Sequence, residues 1–127
     1  MTKEFKIKYF NLINYRMSIN PLPQNEEYHK HHIIPKFLKP KKNKLVRLTP
    51  QEHCLAHYYL YNGYKNNRNK KFVNYLYSAY KGLLYDNFIC LKQELGFRKR
   101  IESEILKSTI NLNHRYIKEI NQDAEVF

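Results

Sequence analysis

A helix start encoded in residues 49–57 constrains the fold more than any other feature of the sequence. In TPQEHCLAH, Thr49 is a favourable N-cap, Pro50 suits the first helical turn, and Glu52 follows three residues after Thr49. This arrangement is a capping box with proline in the first turn. It predicts a helix from position 50 to about position 61, where the Asn-Gly pair would supply the left-handed residue that ends many helices.

The segments on either side of this helix predict an α+β chain with a single domain. EYHKHHII at 27–34 favours a strand, and LVRL at 45–48 favours its antiparallel partner across a basic loop. An amphipathic pattern predicts an N-terminal helix at about 4–17. Residues 65–122 are predicted to be helical, with an interruption near Gly96. The buried positions predicted there are Phe72, Tyr75, Leu76, Ala79, Tyr80, Leu83, Ile101, Ile105, Leu112, Ile117 and Ile120.

The balance of charge favours a polyanionic partner. Lys and Arg number 23 against 11 Asp and Glu, giving a formal net charge of +12 spread along the chain. Such a field attracts nucleic acids without identifying them uniquely. The chain has no apolar run approaching roughly 18 residues and no secretory signal, so we expect a cytoplasmic protein without membrane contact. Cys54 and Cys90 lack a metal-binding spacing and are predicted to be reduced thiols in the core.

The histidines provide the candidate chemistry. His53 and His57 lie one turn apart on the predicted helix, so they project from one face and can share a metal ion. Cys54 stands where the zinc-protease helix motif needs a glutamate, which excludes that chemistry. His31 or His32 can complete a set of three ligands. Three imidazoles leave room for water and substrate, and the remaining histidine is a natural general base. Spacing alone does not assign these two roles.

Two separated motifs resemble the HNH endonuclease family. HHIIP at 31–35, followed after a short loop by LVRLTPQEHCLAH at 45–57, is similar to the core of these nucleases. The resemblance is especially to the small HNH endonucleases of bacteriophages and to the nuclease domains of DNase colicins. The resemblance covers about residues 5–62 and implies a ββα-metal core at about 25–62. An N-terminal helix would precede this core, and a C-terminal helical extension would follow it.

The resemblance also implies roles for individual residues. His31, His53 and His57 match the positions that hold one divalent metal ion. His32 matches the general base that activates water for hydrolysis of a DNA phosphodiester bond. The candidate ions are Mg²⁺, Mn²⁺, Ni²⁺ and Zn²⁺, and three imidazoles favour a transition metal over Mg²⁺.

One position departs from the family pattern. The family places an asparagine nine residues before the first helix histidine, where this chain has Lys44, and Asn43 lies one residue earlier. Either the loop absorbs one extra residue and Asn43 braces the loop that carries the base, or Lys44 has replaced the asparagine. In the second case the protein would have lost catalysis but would still bind a metal ion and DNA.

Basic residues around the predicted hairpin are candidate DNA contacts. Arg47 is the candidate contact to the transition state. The lysines expected to contact phosphates are Lys36, Lys39, Lys41, Lys42 and Lys44. The C-terminal helices are candidates for DNA affinity or homodimer contacts, and we expect weak sequence specificity. His29 is expected at the surface or beside the site, and His114 has no predicted role. Two alternatives remain: a non-catalytic DNA-binding module on the same scaffold, and a basic protein whose histidines hold a structural zinc ion.

Overall fold

The computed structural model describes residues 1–108, which form an α+β fold of four α-helices and a two-stranded antiparallel sheet. The elements in chain order are α1 (Lys3–Asn14), a π-helical turn (Tyr15–Ile19), β1 (His29–His32), a 3-10 turn (Lys36–Leu38), β2 (Leu45–Leu48), α2 (Pro50–Tyr64), α3 (Lys70–Asp86) and α4 (Leu91–Ser108). The predicted α+β class is confirmed. The predictions for Leu112, His114, Ile117 and Ile120 lie outside the described residues. No helix within 1–108 is both long enough and apolar enough to cross a membrane.

The two strands form a short hairpin in which His31 pairs with Val46 and His32 with Leu45. β2 has the predicted bounds, whereas β1 is shorter than the predicted strand at 27–34. The ladder ends because the side chain of Asn43 binds the N–H and C=O of Ile34 in place of a partner strand. The chain therefore turns away from the sheet immediately after the two adjacent histidines.

The start of α2 agrees with the sequence, and its end does not. Thr49 Oγ1 accepts from the N–H of Glu52 at 3.1 Å, and the Glu52 carboxylate accepts from the N–H of Thr49 at 3.0 Å, which confirms the capping box. The predicted end at the Asn-Gly pair is wrong, because the helix continues through Gly63, which has no positive φ. A Cβ on Gly63 would lie 2.3 Å from Met1 Cγ, and the Gly63 carbonyl accepts from Thr2 N–H at 3.0 Å. Gly63 thus permits close packing of the N-terminus.

The apolar core lies around α2, with α1 and α3 packed against it. Five buried positions predicted in the C-terminal helices are confirmed: Phe72, Leu76, Tyr80, Ile101 and Ile105. Tyr75 is 38% exposed, contrary to prediction. Ala79 and Leu83 are partly buried, and Val73 and Leu84 are the neighbours that complete the buried face of α3.

Two further predictions about the C-terminal helices are wrong. α4 runs without interruption through Gly96, because this glycine faces open space and a helix tolerates it there. Both cysteines are free thiols, but only Cys54 belongs to the core, and Cys90 is exposed at the start of α4. Burial, together with the nearby charge of Glu94, raises the pKa of Cys54 to about 12.

Candidate metal centre

Three histidines from two elements converge at the junction between the hairpin and α2. His31 projects inward from β1, and His53 and His57 lie one turn apart on the facing side of α2. One ring nitrogen from each lies within 4.8 Å of the others, and the ring centroids are 5.0–5.1 Å apart. These three side chains can hold one metal ion.

The electrostatic surroundings keep these histidines neutral. Burial, reinforced by the neighbouring imidazoles, lowers the pKa of His31 well below its usual value and that of His53 to about 3. Burial also lowers the pKa of His57 to about 4. Neutral imidazole is the form that binds metal ions. Nδ1 of His57 is buried and has no hydrogen-bond partner among the described residues. An unpaired buried nitrogen in a cluster of neutral imidazoles fits a metal site.

His32 lines the same cavity as the three histidines. The cavity has a volume of about 230 Å³, and the other lining residues are Lys30, Pro35, Lys36, Leu60 and Tyr75. Slight burial and the charge of Lys36 lower the pKa of His32, so its imidazole can accept a proton at neutral pH. Because β1 ends at His32, the side chains of two adjacent residues reach one cavity.

A larger cavity of about 760 Å³ lies at the N-terminus of α2. The buried carboxylate beside it, Glu52, is bound by the guanidinium of Arg16 through contacts of 2.8–2.9 Å and also accepts from Thr49 N–H. Its charge is therefore already balanced. We assign the candidate chemistry to the smaller cavity, where the neutral imidazoles converge.

Two contacts beside the three converging histidines bring in residues from outside the cluster. The hydroxyl of Tyr9, a buried residue of α1, lies 2.8 Å from His31 Nε2 and donates to the carbonyl of Ile33 at 2.5 Å. Nδ1 of His29 lies 3.0 Å from Nδ1 of His53. His29 thus lies beside the site, where the sequence predicted it to lie if not at the surface. Tyr9 has no predicted role in the site, although a tyrosine on a buried helix face signals a need for a hydrogen-bond partner.

Asn43 lies at the end of the hairpin loop and binds the backbone just after His32. Its side-chain oxygen accepts from Ile34 N–H at 3.0 Å, and its side-chain nitrogen donates to the Ile34 carbonyl at 2.7 Å. Lys44 contributes its backbone carbonyl to Ile33 N–H, at 3.0 Å. The brace on the loop beside the candidate base therefore comes from the side chain of Asn43.

The structure does not bring Arg47 to the cavity. Its guanidinium donates to the carbonyl of Leu22 at 3.0 Å and lies over the ring of Tyr28, so it ties the linker before β1 to the sheet. Lys36 lines the cavity, and the other predicted DNA contacts are exposed on the hairpin loop: Lys39, Lys41, Lys42 and Lys44. Lys30, which was not predicted, also lines the cavity.

Comparison with known proteins finds no match: neither a protein-family model, nor a curated protein, nor a solved structure matches this chain. The resemblance to HNH endonucleases therefore stays a prediction from the sequence motifs. The convergence of His31, His53 and His57 is observed in the structure and does not depend on any such match.

Proposed function

We propose that this protein is a metal-dependent endonuclease of the HNH type that hydrolyses DNA phosphodiester bonds. One observation carries the proposal: His31, His53 and His57 converge at a cavity that His32 also lines. Three imidazoles leave coordination positions open for water and substrate, which distinguishes catalytic sites from closed structural ones. A fourth imidazole at the same cavity supplies the separate base that hydrolysis needs.

In this proposal His31, His53 and His57 hold one divalent ion. When bound, such an ion polarises a phosphate oxygen and stabilises the negative charge on the leaving 3′-oxygen. The all-imidazole ligand set favours Zn²⁺ or Ni²⁺ over Mg²⁺.

The remaining steps belong to the side chains around the cavity. His32 takes the proton from the attacking water, since its lowered pKa leaves the imidazole unprotonated at neutral pH. Lys30 and Lys36 attract the phosphate, because both line the cavity and carry positive charge. Asn43 positions the base indirectly, since its two hydrogen bonds hold the backbone at Ile34, two residues beyond His32.

DNA is the proposed substrate because exposed lysines flank the cavity and the whole chain carries a formal charge of +12. If about six lysines of the hairpin pair with phosphates, the logarithm of the association constant falls with the logarithm of salt concentration at a slope near −5. An association constant that does not change with salt concentration would argue against the hairpin lysines as a DNA-binding surface.

A structural zinc site is the second candidate, and His29 favours it. Its Nδ1 lies 3.0 Å from Nδ1 of His53, so a fourth imidazole stands next to the three ligands. A fourth protein ligand would close the coordination shell and leave no position for substrate. In that case removal of the metal would unfold the chain, and nuclease assays would stay blank.

The deciding experiment is conversion of supercoiled plasmid to nicked or linear DNA by the purified protein and by His32→Ala. Each is assayed with Mg²⁺, Mn²⁺, Ni²⁺, Zn²⁺ or EDTA. We expect metal-dependent cutting that falls about 10²–10⁴-fold in the variant, because the base is removed. DNA binding should survive in the variant, which controls for loss of fold or affinity. Salt-sensitive DNA binding without cutting under any metal would replace the nuclease with a DNA-binding module.

A further inference from the structure

The hydroxyl of Tyr9 makes two buried contacts that together specify where its hydrogen lies. It is 2.5 Å from the carbonyl oxygen of Ile33 and 2.8 Å from Nε2 of His31. The exposed fraction of Tyr9 is 0% and that of His31 is 2%, so water does not compete for either contact. A carbonyl oxygen can only accept, and the hydroxyl has one hydrogen, which it donates to Ile33. Toward His31 the hydroxyl must accept, so Nε2 carries a hydrogen.

We propose that Tyr9 sets the tautomer of His31, so that His31 binds the metal ion through Nδ1. A neutral imidazole carries one hydrogen, and with that hydrogen on Nε2 the free lone pair lies on Nδ1. The inference rests on the metal site of the proposed function, but not on cleavage of DNA. Tyr9 is thus a positioning residue that acts through His31.

Tyr9 contacts the histidine cluster without itself being a histidine, so its hydroxyl specifies a hydrogen position that a second imidazole would leave open. The Nδ1 atoms of His29 and His53 face each other, and either imidazole can donate to the other. Nδ1 of His57 has no hydrogen-bond partner among residues 1–108. Among these histidines, and within residues 1–108, His31 is the one whose tautomer a non-histidine side chain specifies.

The second contact of the hydroxyl extends this role to the backbone. By binding the Ile33 carbonyl, Tyr9 holds the chain at the point where β1 ends, one residue beyond His32. One hydroxyl of α1 therefore positions a metal ligand and the backbone next to the candidate base. The N-terminal helix becomes part of the metal centre.

Tyr9→Phe tests the inference, with Tyr59→Phe as the matched control. Tyr59 is equally buried, and its hydroxyl donates to Glu102 at 2.8 Å, away from the histidines. Each variant loses one hydroxyl and keeps its ring. Long-range ¹H–¹⁵N NMR of the metal-free full chain reads the tautomer of His31, and titration with Zn²⁺ reads the affinity.

We expect hydrogen on Nε2 of His31 in the wild type and in Tyr59→Phe, and a mixture of tautomers in Tyr9→Phe. We expect Zn²⁺ affinity to fall roughly 10–100-fold in Tyr9→Phe, as is typical when a ligating histidine loses its hydrogen-bond partner, and to stay unchanged in Tyr59→Phe. Hydrogen on Nδ1 in the wild type would overturn the inference, as would equal losses of affinity in the two variants. If Tyr9→Phe does not fold, the tautomer in the wild type decides.

Failure of this inference is distinguishable from failure of the proposed function. Zn²⁺ binding with the expected tautomer but no DNA cleavage supports the inference and contradicts the nuclease. DNA cleavage by a chain whose His31 carries hydrogen on Nδ1 does the reverse. A wild-type chain that binds none of Mg²⁺, Mn²⁺, Ni²⁺ and Zn²⁺ overturns both.

Discussion

Residues 1–64 and residues 65–108 use different interactions in their interiors. The first part, here called the site-bearing half, contains buried or half-buried polar groups with directional partners, such as Tyr9 with His31, Arg16 with Glu52, and Asn43 with the backbone. The second part, the helical half, buries mainly apolar side chains of α3 and α4. Hydrogen bonds specify distance and angle, whereas apolar burial is non-directional. Substitutions of these polar groups in the first half should therefore affect chemistry, whereas truncations of buried apolar side chains in the second should affect stability.

The largest expected effect on the site is that of His57→Ala. The substitution removes one of three imidazoles, and Zn²⁺ affinity should fall more than about 100-fold, because losing a ligand exceeds the cost of losing only its hydrogen-bond partner. Zn²⁺ titration of the folded variant measures the effect, and circular dichroism checks the fold. Unchanged Zn²⁺ affinity would show that His57 is not a metal ligand and would weaken the contrast between the two halves.

Leu84→Ala tests the other half. Leu84 is 5% exposed on α3, and its truncation leaves a cavity, so the free energy of unfolding should fall by about 2–5 kcal/mol. Urea denaturation measures this loss. Zn²⁺ affinity of the folded variant should match the wild type, and a parallel loss of affinity would show that packing of α3 positions the ligands.

Asn43→Ala should have a smaller effect on stability but a specific one on the proposed cleavage. Two hydrogen bonds to Ile34 are lost, at a cost of about 1–3 kcal/mol, and the backbone after His32 loosens. Plasmid cleavage should slow while Zn²⁺ affinity stays near that of the wild type. Asn62→Ala is the control, since the Asn62 side chain donates to the Tyr58 carbonyl within α2, away from the candidate base. Normal cleavage by Asn43→Ala would show that Asn43 does not brace the candidate base.

The most gradual effect is that of pH on the metal-free protein. Burial lowers the pKa of His57 to about 4 and that of His53 to about 3, whereas histidines of an unfolded chain titrate near about 6.5. Below about pH 6.5 the histidines of the unfolded chain bind protons, whereas His53 and His57 of the folded chain stay neutral until the pH approaches their lowered pKa values. The free energy of unfolding should therefore be highest above that pH and should fall as the pH drops toward about 4. Urea denaturation at several pH values, in EDTA, measures the slope, which should be shallower in His57→Ala.

Patterns that depend on neighbouring residues were predictable. The capping box of Thr49 and Glu52 and the shared face of His53 and His57 follow from helix geometry over one turn. The bounds of β2 follow from a short apolar run. The end of α2 was predicted wrongly because the Asn-Gly pair signals termination locally, while the packing of Gly63 against Met1 and Thr2 is a contact between distant residues.

By itself, the sequence determined the types of the elements and their order, the one-turn spacing of two histidines and the excess of positive charge, since each depends on composition or on residues close together in the chain. The tertiary structure decided which imidazoles meet, that Asn43 braces the backbone after His32, and that Arg47 binds the linker rather than lining the cavity. It also placed Tyr9 against His31, 22 residues away in the chain. Such contacts depend on where the chain reverses direction and on which polar groups become buried together. Only the packed arrangement of α1, the hairpin and α2 specifies both.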